Sequence, residues 1–322
     1  MTEALQTGVF LDLETVDNGD LDRNSISRSL PCWEWHEFSN AEQVPRRISE
    51  ADVVISNKCV LDRSAIEAAT RLKLIALAAT GTNNVDLKAA SEHGVAVCNI
   101  RDYASDAVAQ HAITLMLNLL TAQPWYWQSV RRGDWSNSRQ FCLNDRPIRQ
   151  AAGLTFGVVG GGVLGRATAK LAEGLGMKVL LAERKNRPPR PGRVAFEAAV
   201  RESDVLSIHC PLSDETLGLV DRELMQAMKR DALLINTARG AIVNETDLAA
   251  CLREGVIAGA GIDVLSQEPP PTDHPLLAPD IPNLIVTPHN AWASRSARQA
   301  ALDQLAAIIE AFAAGSPLNQ VN

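Results

Sequence analysis

The stretch VVGGGVLGRATAKLAEGLGMKVLLAER, residues 158–184, decides the fold. It continues a run of small and β-branched residues, Phe156 to Val159, that reads as a buried strand. Gly160, Gly162 and Gly165 then form G-x-G-x-x-G, and a helical pattern follows with Ala167, Leu171 and Leu175 on one face. A second apolar run, Val179 to Ala182, ends on Glu183, 18 residues after the third glycine. In a dinucleotide-binding βαβ unit Gly160 permits the tight turn, Gly162 lets the backbone approach a pyrophosphate, and Gly165 lets helix pack on strand. The helix N-terminus offers free N–H groups to the phosphates, and Glu183 is placed to bond the adenosine ribose hydroxyls. A bare glycine cluster is more often a loop. Strand, helix, second strand and acid in one register make the binding reading the stronger.

Working outward, 322 residues suffice for two domains, because single cores stop growing near ~250–300 residues. With 46% hydrophobic and 21% charged residues the composition is that of an ordinary soluble globular protein. A net charge of −7 argues against nucleic acid or an anionic membrane as partner, though a locally positive site for an anion remains compatible with it. No apolar run reaches the ~18 residues of a membrane span, and the first residues lack the basic and apolar segments of a signal peptide. The 6 cysteines show no metal spacing, and reduced thiols in the cytoplasm are expected, with no metal site.

Residues 8–102 alternate short strands (8–13, 52–56, 72–79, 95–100) with helical segments (63–70, 87–93), which implies a parallel α/β sheet. Stretches 17–29 and 39–50 read as surface loops or short amphipathic turns. The strand over 72–79 runs into Thr80-Gly81-Thr82-Asn83-Asn84, which reads equally as an anion-holding turn or as a plain one. A long apolar helix spans 103–121 and carries His111, whose simplest reading is a satisfied packing residue. Segment 122–150 holds Trp125, Trp127, Trp135, Tyr126, Phe141 and 5 arginines without an apolar period, and reads as an arm buried against a partner subunit. Further strands at 205–209, 232–236, 259–263 and 284–287 alternate with helices at 196–202, 223–228 and 245–254, completing a six-stranded doubly wound sheet before the final helix, 296–314.

Arg239, Glu268 and His289 each follow a strand's carboxyl end, where ligands of open parallel sheets bind. Singly each has a plain alternative: a helix-flanking cation, a solvated acid, a strand-end packing residue. Jointly they suit reduction of a 2-keto acid. A guanidinium fork holds carboxylate and carbonyl oxygens, an imidazole delivers the proton, and a carboxylate behind the ring fixes its tautomer.

The motifs GGGVLG, INTARGAIV, GIDVLSQEPP and TPHNAWAS, in that order, resemble those of the D-isomer-specific 2-hydroxyacid dehydrogenases over nearly the whole chain. The resemblance implies two doubly wound parallel-sheet domains: a Rossmann-type cofactor domain (103–293) and a smaller, discontinuous flavodoxin-like substrate domain (1–102 with 294–322). It implies that Arg239, Glu268 and His289 are the catalytic set, with Arg239 and His289 also on the substrate. It implies cofactor contacts from Thr80, Val163, Leu164, Glu183, Cys210, Thr237, Ala238 and Asp263, to which Pro211 and Thr216 of the following loop are added. The backbone of Thr80 and Gly81 becomes the carboxylate-holding loop, and 122–150 the dimerisation arm of a homodimer.

AATGTNNVD and PHNAWAS look most like the glycerate dehydrogenase (hydroxypyruvate reductase) branch. Two departures stand out: Asn290 follows His289 where Ile or Leu is frequent, and the strand-end acid is Glu183 followed by Arg184. Glu183 opposes a 2′-phosphate whereas Arg184, with Lys185 and Arg187, attracts one, so NAD is expected and NADP is the alternative. The expected reaction is hydroxypyruvate or glyoxylate reduction, or D-glycerate oxidation. The alternatives are another 2-keto acid such as pyruvate, or an NAD(H)-sensing corepressor-like protein. Phosphoglycerate is disfavoured because the chain ends after the last helix with no regulatory domain.

Overall fold

The computed structural model describes residues 5–322, in two compact units. Unit 1 takes Met1–Ala104 and Ala293–Asn322, and unit 2 takes Ser105–Trp292.

Unit 1 alternates strand and helix: β1 (Thr7–Phe10), α1 (Asn24–Ser29), β2 (Cys32–Trp35), α2 (Val44–Ile48), β3 (Val53–Ser56), α3 (Arg63–Ala68), β4 (Leu74–Leu77), α4 (Leu87–Glu92) and β5 (Ala96–Asn99). The strands are parallel in the flavodoxin-like order β2-β1-β3-β4-β5. Every residue of β3, β4 and β5 is buried, the mark of a sheet covered on both faces. Phe10, Ile55 and Leu74 serve one apolar layer and Val9, Val54 and Ile75 the other. Asp62 and Asp86 cap α3 and α4 by accepting from Ala65 N and Ala89 N.

The sequence reading overlooked β2. Its Cys-Trp-Glu-Trp pattern lacks the β-branched run of the inner strands and lies at the sheet edge, where two tryptophans supply the packing. The Trp33 ring crosses Gly8, where a β-carbon would come within 2.6 Å of it, and Trp35 stacks on Phe10 with centroids 6.0 Å apart. The stretches read as loops or turns hold the short helices α1 and α2.

Unit 2 runs α5 (Ser105–Leu120), α6 (Gln123–Arg132), β6 (Thr155–Val159), α7 (Val163–Gly174), β7 (Lys178–Ala182), α8 (Phe196–Glu202), β8 (Val205–Ile208), α9 (Arg222–Ala227), β9 (Leu233–Asn236), α10 (Glu245–Glu254), β10 (Gly259–Ile262) and β11 (Leu284–Val286). The order is β11-β10-β9-β8-β6-β7, all parallel, and Val194 adds a single parallel bridge to Ala182 outside β7. With that rung as a reduced third strand the order is Rossmann's, reversing between β6 and β8. The last helix, α11 (Arg295–Ala313), belongs to unit 1, where Leu302, Leu305 and Ile309 join the Phe10 layer. The two doubly wound α/β units expected from the sequence are therefore present.

Two local expectations are corrected. The face of α7 that packs inward is Gly165, Thr168, Ala169 and Ala172, while Leu171 and Leu175 are exposed. Small residues win because α7 lies close against α5, sharing a layer with Ala112, Met116 and Phe156. Segment 122–150 is not wholly irregular: α6 starts with Pro124 in its first turn and ends on Gly133 at φ 84°.

Candidate active site

The glycine loop sits at the switch point between β6 and β8. Gly160 has φ +103°, and a β-carbon there would lie 2.4 Å from the Cys210 nitrogen, so only glycine allows the two strand ends to approach. A β-carbon on Gly165 would meet the Gly160 carbonyl oxygen at 2.0 Å, which places the helix directly on the turn. Gly162, the N-cap of α7, makes no side-chain cap, and a β-carbon on it meets nothing within 4 Å. The free N–H groups of α7 thus open onto space. Val163 is exposed and Leu164 half-buried beside them.

At the neighbouring strand ends two buried polar atoms have no partner among the described residues: Thr237 Oγ1 and His209 Nδ1. His209 is a neutral imidazole, pushed down to about 4 by burial, and its Nε2 pairs with Ser207 Oγ at 2.8 Å. Orphaned polar atoms are rare in folded interiors; His209 adjoins the Gly160 turn, and Thr237 follows the next strand of the same sheet. The residues fit a dinucleotide. Beyond them Cys210 is a neutral thiol, pushed up to about 11 by burial, and Thr216 Oγ1 closes the next loop by donating to the Pro211 oxygen at 2.7 Å.

Arg239 ends the turn after β9. Buried Asn236 shapes that turn, accepting from Ala238 N at 3.0 Å and donating to the Arg239 oxygen at 2.9 Å. The guanidinium is exposed, with one bond to the Ala238 oxygen at 2.7 Å. Gly240 makes the turn fit: a β-carbon there would lie 1.9 Å from the Leu265 carbonyl carbon, so this turn and the loop carrying Glu268 touch backbone to backbone. Glu268 Oε1 accepts from Leu265 N at 2.9 Å, and Oε2 lies 2.6 Å from His289 Nδ1. Glu268 and His289 are both about one-third exposed (side chains 34% and 29%), so the pair faces solvent and is open to a ligand. With Nδ1 held by the carboxylate, Nε2 is left for chemistry.

His289 has φ +52°, a left-handed backbone uncommon for any residue but glycine. Asp263 holds it there. The Asp263 carbonyl accepts from His289 N at 2.8 Å, and its buried carboxylate accepts from Thr287 Oγ1 (2.6 Å), Asn290 N (3.1 Å) and Ala291 N (3.0 Å). The Asp263 carboxylate, expected on the cofactor, is thus bound to the loop of His289. His111 is the satisfied residue expected, 3.0 Å from Thr287 Oγ1.

In unit 1 Thr80 follows β4 with its hydroxyl donating to the Ile100 oxygen at 3.0 Å, while its carbonyl accepts from Asn99 Nδ2 at 2.6 Å. The hydroxyl and the carbonyl of Thr80 are both committed to the fold of unit 1. Glu183, at the end of β7, is met by Arg190: Nε to Oε2 at 2.6 Å and Nη2 to Oε1 at 2.7 Å. Those hydrogen bonds, with the Arg184 amide and the Arg190 charge, hold the carboxyl down at about 2.

The sequence reading missed three supports: Asn236, Arg190, and Glu245. Glu245 accepts from Ser266 N (2.7 Å) and Ser266 Oγ (2.5 Å) and faces buried His274 at 3.1 Å, pinning the loop of Glu268. Asn236, preceding Thr-Ala-Arg-Gly at a strand end, carried a readable signal. The pairings of Arg190 and Glu245 cross loops and left none.

Comparison with known proteins agrees with this geometry. Residues 113–291 match the family model described as D-isomer specific 2-hydroxyacid dehydrogenase, NAD binding domain. The chain is 44% identical to a glycerate dehydrogenase of Methylorubrum extorquens over 97% of this chain and 98% of that protein. It is 35% identical to a hydroxypyruvate reductase of Blautia hydrogenotrophica over 98% and 99%. Among solved structures, a Thermus thermophilus protein superposes with TM-score 0.87 at 32% identity, covering 98% of this chain and all (100%) of that one. The chain belongs to the D-isomer-specific 2-hydroxyacid dehydrogenases, a family of nicotinamide-dependent oxidoreductases.

Proposed function

We propose that this chain reduces hydroxypyruvate or glyoxylate to the corresponding 2-hydroxy acid, and oxidises D-glycerate in reverse. The observation that carries it is the 2.6 Å contact between His289 Nδ1 and Glu268, beside the exposed Arg239 turn at the carboxyl edge of a Rossmann sheet. The similarity to a glycerate dehydrogenase and a hydroxypyruvate reductase supports the substrate class.

In this reading the glycine loop, the N-terminus of α7, Thr237 and Ala238 hold NAD(P)H, which when bound supplies the hydride. Arg239 orients the keto acid through its carboxylate and carbonyl oxygens. His289 delivers the proton from Nε2 to the carbonyl oxygen while Glu268 stabilises the imidazolium, and in the oxidative direction His289 is the base. Loss of NADH absorbance at 340 nm with hydroxypyruvate, glyoxylate and pyruvate tests the reaction. His289→Ala is expected to lower kcat by about 10²–10⁴-fold, and near-normal turnover would remove His289 from the chemistry.

The proposed assembly is a homodimer in the cytoplasm, supported by unpaired thiols throughout and by exposed apolar groups on and after α6: Trp127, Val130, Trp135, Phe141 and Ile148. Sedimentation equilibrium checks the dimer. No helix among the described residues is long and apolar enough to cross a membrane.

A further inference from the structure

Glu183 is the acid that a dinucleotide fold offers to ribose hydroxyls, yet here it is already spoken for. Four donors reach it: Arg184 N (2.9 Å) and Arg190 Nη2 (2.7 Å) on Oε1, with Arg190 Nε (2.6 Å) and Arg190 N (3.3 Å) on Oε2. A carboxylate has about four acceptor sites, so none is left for a ribose diol. The acid is also covered, its side chain 2% exposed, while the Arg190 side chain above it is 61% exposed.

The surroundings are basic out of proportion to the chain. Segment 183–193 carries Arg184, Lys185, Arg187, Arg190 and Arg193 against Glu183 alone, in a protein of net charge −7. Arg193 lies 3.9 Å from the same carboxylate and donates to the Ala182 oxygen at 3.1 Å. Its Nη2 sits 2.9 Å from where a β-carbon on Gly161 would be, so it spans the gap from the strand-end acid to the glycine loop. One carboxylate is outnumbered there by two guanidiniums.

We propose that Arg190 sets the cofactor preference. It keeps Glu183 covered, yields the carboxylate to the ribose hydroxyls of NAD(H), and turns its fork onto the 2′-phosphate of NADP(H), so the chain binds both. The inference rests on the reading of 158–184 as the cofactor site. When the fork turns, Arg193 at 3.9 Å and the Arg184 amide at 2.9 Å still face the Glu183 carboxylate and offset its charge, and a planar guanidinium is the group that holds a phosphate in bidentate fashion. Without Arg190 the same acid becomes a free anion that excludes NADP(H).

Dissociation constants from energy transfer between protein tryptophan and bound NADH or NADPH test this without turnover, with adenosine 5′-phosphate and adenosine 2′,5′-bisphosphate as competing probes. In the unmodified protein NADPH should bind within about tenfold of NADH. Arg190→Ala should weaken NADPH and the bisphosphate about tenfold or more while leaving NADH and adenosine 5′-phosphate within about threefold. Arg190→Lys should fall between, keeping the charge and losing the fork, and Glu183→Gln should shift the ratio toward NADPH. An NADPH-to-NADH ratio unmoved by Arg190→Ala, or NADPH refused by the unmodified protein, overturns the inference and leaves the cofactor site standing. Failure of NADH itself to bind overturns both. Arg190 is mostly exposed, and the melting temperature of each variant monitors the fold.

Discussion

Each unit has a switch point where the strand order reverses, between β1 and β3 in unit 1 and between β6 and β8 in unit 2, and the two are treated in opposite ways. In unit 1 the crevice is plugged from within. Buried Asp12, just past β1, accepts from Asn57 N (2.9 Å), Lys58 N (2.6 Å) and Cys59 N (3.0 Å), so successive backbone amides after β3 close on the protein's own carboxylate. In unit 2 the equivalent place past β6 is Gly160-Gly161-Gly162, which brings no carboxylate, and the N–H groups of α7 stay free. Both sheets can bind an anion at this point; one carries it covalently and the other leaves room for a ligand. At the two switch points, site and scaffold differ by the side chain that the loop brings.

Transplanting the plug is the most severe way to break this contrast. Gly162→Asp puts a carboxylate into open space, so the fold should hold while NADH affinity falls about 100-fold or more through repulsion of the pyrophosphate. Calorimetric titration beside a melting curve separates the two effects, and unchanged affinity would show that the phosphates bind elsewhere. The converse, Asp12→Ala, strips acceptors from three amides and should cost about 3 kcal/mol in urea unfolding. Sulfate should restore part of that loss if the emptied amides form an anion site; no response to sulfate would make the crevice of unit 1 merely structural.

The smallest effect concerns what the units share at the opposite end of their sheets. Asp52 precedes β3 and binds Gln6 N (2.8 Å) and Thr7 N (3.0 Å) at the start of β1, and Asp204 precedes β8 and binds Thr155 N (2.8 Å) at the start of β6. Burial raises both carboxyls. The amides, with Arg71 and Lys73 for Asp52 and Lys229 and Arg149 for Asp204, outweigh it and hold both below the ordinary 3.8. A folded-state value below the unfolded one stabilises fully above the unfolded value and is lost as pH falls through it toward the folded value. Asp52→Asn and Asp204→Asn should each cost about 1–3 kcal/mol at pH 7, and the gap to the unmodified protein should narrow below about pH 4. A gap that persists at pH 3 would place the cost in shape rather than charge.

How legible this was depended on range. The glycine fingerprint and the buried apolar runs of β3, β4 and β5 are local patterns, and they yielded the two parallel sheets. Strand-end placement singled out Arg239, Glu268 and His289 because loop position after a parallel strand is itself local. Leu171 and Leu175 misled because an apolar stripe on α7 says nothing about how close α5 will come, and contact with α5 selects Ala169 and Ala172 instead. Asp12, Arg190 and Glu245 were silent. Each acts through partners supplied by folding, and a polar residue in a loop looks the same whether solvated or bonded to three amides.

The lone rung at Val194 has a consequence for how such a protein can change. Because the sheet beyond β7 is reduced to one bridge, residues 184–193 form a cassette held between its two ends by side chains, chiefly Arg190 on Glu183, and by no further strand ladder. Lengthening it, shortening it or recharging it disturbs no ladder of hydrogen bonds and no apolar layer. Selection and design can therefore rewrite this rim independently of the reaction carried out at the far strand ends.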